Sequence, residues 1–163
     1  MHELEMKIKK LVPEAKLPSK SRNTDSGWDL FALPYGLEFL GEDYGDSGIN
    51  EFYSDGMLDS GKGVKVHTGI ALELPRGYCG FIWDRSSKGL NGLKVMGGVL
   101  DNGYRGEIMV ILYNLNEEPV LISNEDKIAQ LTIQEFPEHV SITEVTELSN
   151  TDRNNRGFGS SGR

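Results

Sequence analysis

Hydrophobic and polar positions alternate along most of this chain with the two-residue period of half-buried strands. Met6 to Val12 (MKIKKLV) predicts a half-exposed first strand, closed by a loop that Pro13 and Pro18 enforce. Thr24 to Leu33 (TDSGWDLFAL) predicts a short extended stretch with Asp29 set between Trp28 and Leu30. Val64 to Leu74 and Tyr78 to Asp84 predict two strands joined by Pro75-Arg76-Gly77. The run from Glu107, EIMVILYNL, is a further strand, and Pro119 to Phe136 gives two more around the Asn124-Glu125-Asp126 turn. Ser141 to Leu148 predicts a last strand. Helical periodicity is almost absent. Ser87 to Leu93 is the place for a helix, and its two glycines keep any helix short. Many short strands with frequent turn residues predict an all-β barrel or jelly-roll.

One stretch stands out from this pattern. Gly97 to Gly106 reads GGVLDNGYRG. Asn102-Gly103 between extended runs predicts a β-hairpin with a type I′ turn, both central residues at positive φ. Its tip would carry an acid, an aromatic and a base: Asp101, Tyr104 and Arg105. The paired Gly97-Gly98 would let another molecule approach the backbone closely.

Leu37 to Gly63 breaks the alternation differently. It is rich in Gly, Asp, Glu and Ser, and reads as a long exposed acidic loop. Its replaceable part is taken as about 38–62, outside the chemistry. Its oxygen-bearing residues do not fall at the positions of a calcium loop, and no Glu closes a twelve-residue frame.

The 163 residues suit a single core, with 17 Lys plus Arg against 25 Asp plus Glu, a net charge of −8. That balance excludes nucleic-acid binding through a broad basic surface. It leaves room for a small polyanion held by a few concentrated donors and a metal ion. The single cysteine, Cys79, excludes an intramolecular disulfide and reads as a small core residue. No apolar run is long enough to span a membrane, and the N-terminus lacks a signal-peptide stretch, so a cytoplasmic protein is expected.

Several residues are candidates for chemistry. Asp29 in an apolar strand needs a partner, structural or functional. Arg85-Ser86-Ser87 at a strand end can bind an anion through side-chain and backbone donors. His67 has no ligand set around it and reads as structural. The end of the chain, TDRNNRGFGSSGR, has the composition of a disordered tail, and equally of a flexible phosphate-wrapping loop.

Taken together, these stretches resemble the five motifs of the trimeric deoxyuridine triphosphatases. SGWDLFA is similar to the first, DRSSKG to the second, GGVLDNGYRGEIMV to the third, DKIAQL to the fourth and RNNRGFGSSG to the fifth. All five occur in order. The resemblance implies a β-clip, a distorted jelly-roll, assembled as a homotrimer with active sites at subunit interfaces. It implies hydrolysis of dUTP to dUMP and pyrophosphate with Mg2+. A β domain over 1–151 would then carry a C-terminal arm, 152–163, that closes over the active site of another subunit.

The same resemblance implies the roles. Asp101 would deprotonate the water that attacks the α-phosphorus, and Tyr104 would exclude a 2′-hydroxyl. Backbone groups around Gly98 would read uracil. Asp29 would hold the magnesium through water. Arg85, Ser86, Ser87 and Gln130 would meet phosphates or the water. Arg153, Phe158, Gly159, Ser160 and Ser161 would close over the nucleotide, with Phe158 stacking on the base.

Departures from the motifs are Lys88-Gly89 where Leu-Ala is usual, Gly103 in place of a common acid, Asn154 in place of glycine, and Arg156. Two rival readings remain. A dCTP deaminase of the same fold would use a glutamate where this chain has Ile111. A jelly-roll interaction protein would bind a partner through the acidic insert.

Overall fold

The computed structural model describes residues 4–40 and 55–151. The strands are β1 (Lys7–Lys10), β2 (Trp28–Phe31), β3 (Leu37–Leu40), β4 (Gly56–Leu58), β5 (Gly63–Glu73), β6 (Tyr78–Trp83), β7 (Leu93–Met96), β8 (Val99–Leu100), β9 (Glu107–Asn114), β10 (Val120–Ile122) and β11 (Lys127–Glu135). One short helix, α1 (Ser86–Leu90), follows β6. All pairings between these strands are antiparallel.

The larger sheet runs β1-β5-β9-β7. β3 shares an edge of β5 with β1: it pairs with Gly63 to Val66, and β1 pairs with Ile70 to Glu73. The second sheet runs β2-β11-β6-β8, and β10 pairs with β4 apart from both. Apolar side chains of the two larger sheets meet in one cluster. Val64, Val66, Ile108, Val110 and Leu112 come from one, and Leu30, Ile82 and Leu131 from the other. β9 alternates as its sequence predicts, with Ile108, Val110, Leu112 and Asn114 inward. Buried Asn114 is satisfied: its amide donates to the carbonyls of Leu58 and Glu118, at 2.9 and 2.8 Å. The all-β class predicted from the pattern is the class observed.

Four expectations are corrected. The 97–106 stretch is not a paired hairpin. β8 pairs with β6 in one sheet, and β9 pairs with β5 and β7 in the other. Neither Asn102 nor Gly103 has a positive φ, although Tyr104 N–H does donate to the Asp101 carbonyl at 3.0 Å. The chain turns there to pass between sheets, so the twist matching that favours type I′ does not apply.

The supposed excursion at 38–62 is structural at both ends. β3 and β4 lie in it, Leu58 is fully buried, and Glu38 pairs with Lys65 of β5 at 2.7 Å. Residues 41–54 lie outside the described residues. Ser141 to Leu148 forms no strand; Ile142 and Leu148 are exposed. No described strand lies beside this segment to complete its backbone bonds. Cys79, finally, is half-buried rather than in the core.

Candidate active site

The site begins at a register. Asp29 in β2 stands opposite Gln130 in β11, and Gln130 stands opposite Trp83 in β6. Directly paired residues share a face of the sheet, so Asp29 and Gln130 lie side by side. The chain leaving β6 then brings Asp84, Arg85 and Ser86 to the same place.

Their contacts are specific. Arg85 Nε donates to Asp29 Oδ1 at 2.7 Å, and Lys127 Nζ lies 2.7 Å from Asp29 Oδ2. The Asp29 side chain is 13% exposed, so this is a largely desolvated carboxylate held by two cations. That answers the cost of an acid in an apolar strand. Gln130 Nε2 donates to the Asp84 carbonyl at 2.8 Å, which leaves its Oε1 as an acceptor. Gly27 makes room for that group: a Cβ there would stand 2.4 Å from Gln130 Oε1.

A polar cavity of about 470 Å3 opens beside them. Its walls include Asp29, Arg85, Ser86 and Gln130, four residues the sequence singles out. Ser87 is exposed on α1 and is not on its wall. The rest of the wall is Ser21, Arg22, Asp25, Ser26 and Gly27, which sequence reasoning missed. Lys127 was missed as well, although it stands inside DKIAQL, because only the strand register shows that it reaches Asp29.

Gly98, Asp101 and Tyr104 do not line this cavity. Gly98 has φ +117°, and a Cβ would meet the Ile82 carbonyl oxygen at 2.7 Å. A side chain is therefore excluded twice, by conformation and by space. The Gly98 carbonyl accepts from Ile82 N–H at 2.7 Å. Asp101 is exposed. Tyr104 hydroxyl donates to the Glu107 carbonyl at 2.8 Å, which fixes the ring over Gly106.

The turn itself is fastened from both sides. Asn102 Nδ2 donates to the carbonyls of Pro75 and Tyr78, at 2.7 and 2.8 Å. Arg105 folds back on the carbonyls of Asn102 and Tyr104, at 2.7 and 2.9 Å. Asn102, read from sequence as a turn former, is thus an anchor. Arg153, Phe158, Gly159, Ser160 and Ser161 lie outside the described residues.

A family profile for dUTPase matches residues 53–162. The chain belongs to the dUTPase family.

Relatives in that family span the whole chain. The deoxyuridine 5′-triphosphate nucleotidohydrolase of Clostridium tetani is 36% identical, with all of both chains covered. That of Gloeobacter violaceus is 41% identical over 72% of this chain and 84% of its own length. The fold agrees. A dUTPase of Staphylococcus bacteriophage 80alpha, solved with dUPNHPP, superposes with a TM-score of 0.76 at 23% identity, covering 98% and 99% of the two chains. A mutant dUTPase from phage phi11 of S. aureus, described with a structural Mg(II) ion, superposes with a TM-score of 0.67 at 20% identity, covering 88% and 97%. The dUTPase fold expected from the motifs is therefore present.

Proposed function

We propose that this chain hydrolyses dUTP to dUMP and pyrophosphate, as a homotrimer with each site built from more than one subunit. The carrying observation is the gathering of Asp29, Arg85, Ser86 and Gln130 around one polar cavity. Membership of the dUTPase family supports the substrate. The separation of that cavity from the Asp101 turn supports assembly, since one chain offers the phosphate donors and the base in different places.

The chemistry follows from the residues. Water is a poor nucleophile, and Asp101 is an exposed carboxylate held on a doubly anchored turn. Accepting the proton of a water directed at the α-phosphorus is general-base work. Arg85 and the hydroxyls of Ser86 and Ser87 supply donors for phosphate oxygens. The Gln130 acceptor is free to orient water. The Tyr104 ring, fixed through its hydroxyl, gives a firm face against a 2′-deoxy sugar. With the Gly98 carbonyl engaged by β6, uracil would be read by the other backbone groups beside it. A donor and an acceptor exchange between uracil and cytosine, so such a backbone reader discriminates strongly.

Magnesium fits these residues as an ion that arrives with the triphosphate. No group of three or more His, Cys, Asp or Glu among the described residues could hold a metal by itself. Asp29 keeps a second lone pair on each oxygen for a metal-bound water. The ion, when bound, neutralises charge on the triphosphate. Arg153, Phe158, Gly159, Ser160 and Ser161 would close over the nucleotide from another subunit. The enzyme would act in the cytoplasm on a free nucleotide, without nucleic acid or membrane. The acidic insert at about 38–62 would be the surface for any protein partner.

One assay tests the proposal. Pyrophosphate release from dUTP is expected, with no ammonia from dCTP. Asp101→Asn should keep nucleotide binding and lose turnover by about 10²–10⁴-fold. Ammonia from dCTP would favour the deaminase, and no turnover of either nucleotide would favour the interaction protein.

A further inference from the structure

The phosphate cavity has a second cation on its wall, and it is uncommitted. Two cations line the cavity, Arg22 and Arg85. Arg85 is bound to Asp29 at 2.7 Å. The nearby lysines are engaged too: Lys127 by Asp29 and Lys88 by Asp126, at 2.7 and 2.8 Å. The Arg22 side chain makes no ion pair or hydrogen bond with the described residues. Only its main chain is bound. Arg22 N–H donates to Asp25 Oδ2 at 2.9 Å, and Asp25 N–H donates to the Arg22 carbonyl at 3.0 Å.

That local closure matters, because it orders the loop without using the guanidinium. The stem of the loop is ordered as well. Ser19 and Asp29 exchange both backbone bonds, at 3.3 and 2.7 Å, and Lys20 Nζ lies 3.9 Å from the centre of the Trp28 ring. An exposed arginine is therefore presented on a pinned segment of the same cavity wall that holds Asp29 and Arg85.

Charge decides what it is for. The cavity wall holds two arginines and two aspartates, Asp25 and Asp29, and is neutral as it stands. The protein as a whole carries −8. A triphosphate approaching this surface meets in Arg85 a guanidinium already committed in part, through Nε to Asp29 and through Nη1 to the Lys127 carbonyl. Arg22 is the cation on this wall whose whole guanidinium is free of pairs with the described residues, and its planar fork suits two phosphate oxygens at once.

We infer that Arg22 is a substrate-binding residue that grips the polyphosphate of the nucleotide. This rests on the dUTPase reading above. None of the five motifs contains it.

The experiment compares wild type, Arg22→Gln and Arg22→Lys as full-length enzyme. Initial rates with dUTP are taken over a range of salt, and binding of dUpNHpp and of dUMP is measured by calorimetry. Arg22→Gln should raise the dUTP KM roughly tenfold, the effect of losing one charge-assisted contact, while lowering kcat much less. The same variant should weaken dUpNHpp far more than dUMP, which has no polyphosphate to grip. Its KM should depend less steeply on salt, and Arg22→Lys should fall between the two. An unchanged KM and salt slope, or equal weakening of dUpNHpp and dUMP, would overturn the assignment and leave the dUTPase reading intact. Failure of the wild type to turn over dUTP would instead overturn that reading.

Discussion

Lys88 Nζ lies 2.8 Å from Asp126 Oδ2, so the residue that departs from the usual second motif ties α1 to the turn before β11. Asp126 in turn receives Ser123 N–H at 3.4 Å, and its own carbonyl accepts Ala32 N–H at 2.9 Å. The loop after Ser87 is thus held by an ion pair rather than by apolar packing. Lys88 and Asp126 should show a coupling of about 0.5–1 kcal/mol in a double-mutant cycle of Lys88→Ala and Asp126→Ala, read by urea denaturation. Strict additivity would mean that the two merely lie close.

Asn102 should be a positioning residue for Asp101. Both hydrogens of its amide face carbonyl oxygens. Asn102→Ala should lower kcat while changing KM little, and Asn102→Asp should be worse, because a carboxylate would face the same two oxygens. If the aspartate variant proves the more active of the two, the anchoring account is wrong.

Leu58 marks where the acidic stretch becomes core. Leu58→Ala should cost about 2–5 kcal/mol, while Met57→Ala, at its half-exposed neighbour, should stay within about 0.5 kcal/mol. Urea midpoints decide the matter. Equal, small effects would return the stretch around Gly56 to the surface.

Glu38 gives a pH signature. The Lys65 ammonium at 2.7 Å, with smaller help from His67, holds its carboxyl below the ordinary value of 4.5. A carboxyl that is more acidic folded than unfolded stabilises the fold above the unfolded value. That contribution fades as pH falls through the folded value. Glu38→Gln should therefore be less stable than wild type near neutral pH, by up to about 1 kcal/mol. The two should converge well below pH 4.5. A gap that persists in strong acid would assign the loss to packing.

What was legible in the sequence was whatever depends on local pattern. β6 and β9 alternate in burial, and β5 and β11 carry the apolar runs expected of core strands. The wall of the polar cavity was half legible, because Asp29, Arg85, Ser86 and Gln130 lie in recognisable motifs. The rest depends on contacts between distant segments. Lys127 reaches Asp29 only through the pairing of β11 with β2. The Ser21–Gly27 wall has loop composition and no periodicity to announce it. β4 has three residues, too few to show a period. Asn102 was misread because an Asn-Gly pair signals a tight hairpin only when both flanking strands join the same sheet.

The crossing between sheets also constrains length. Leu100 is registered to Gly80 in one sheet, and Glu107 to Ala71 in the other. The link between them, Asp101 to Gly106, is thus clamped at both ends by ladders that know nothing of each other. One inserted or deleted residue would have to be absorbed by sliding a strand, and a slip by one turns every side chain of that strand to the opposite face. Most surface turns vary freely in length. This one has its count of six imposed by the architecture on either side.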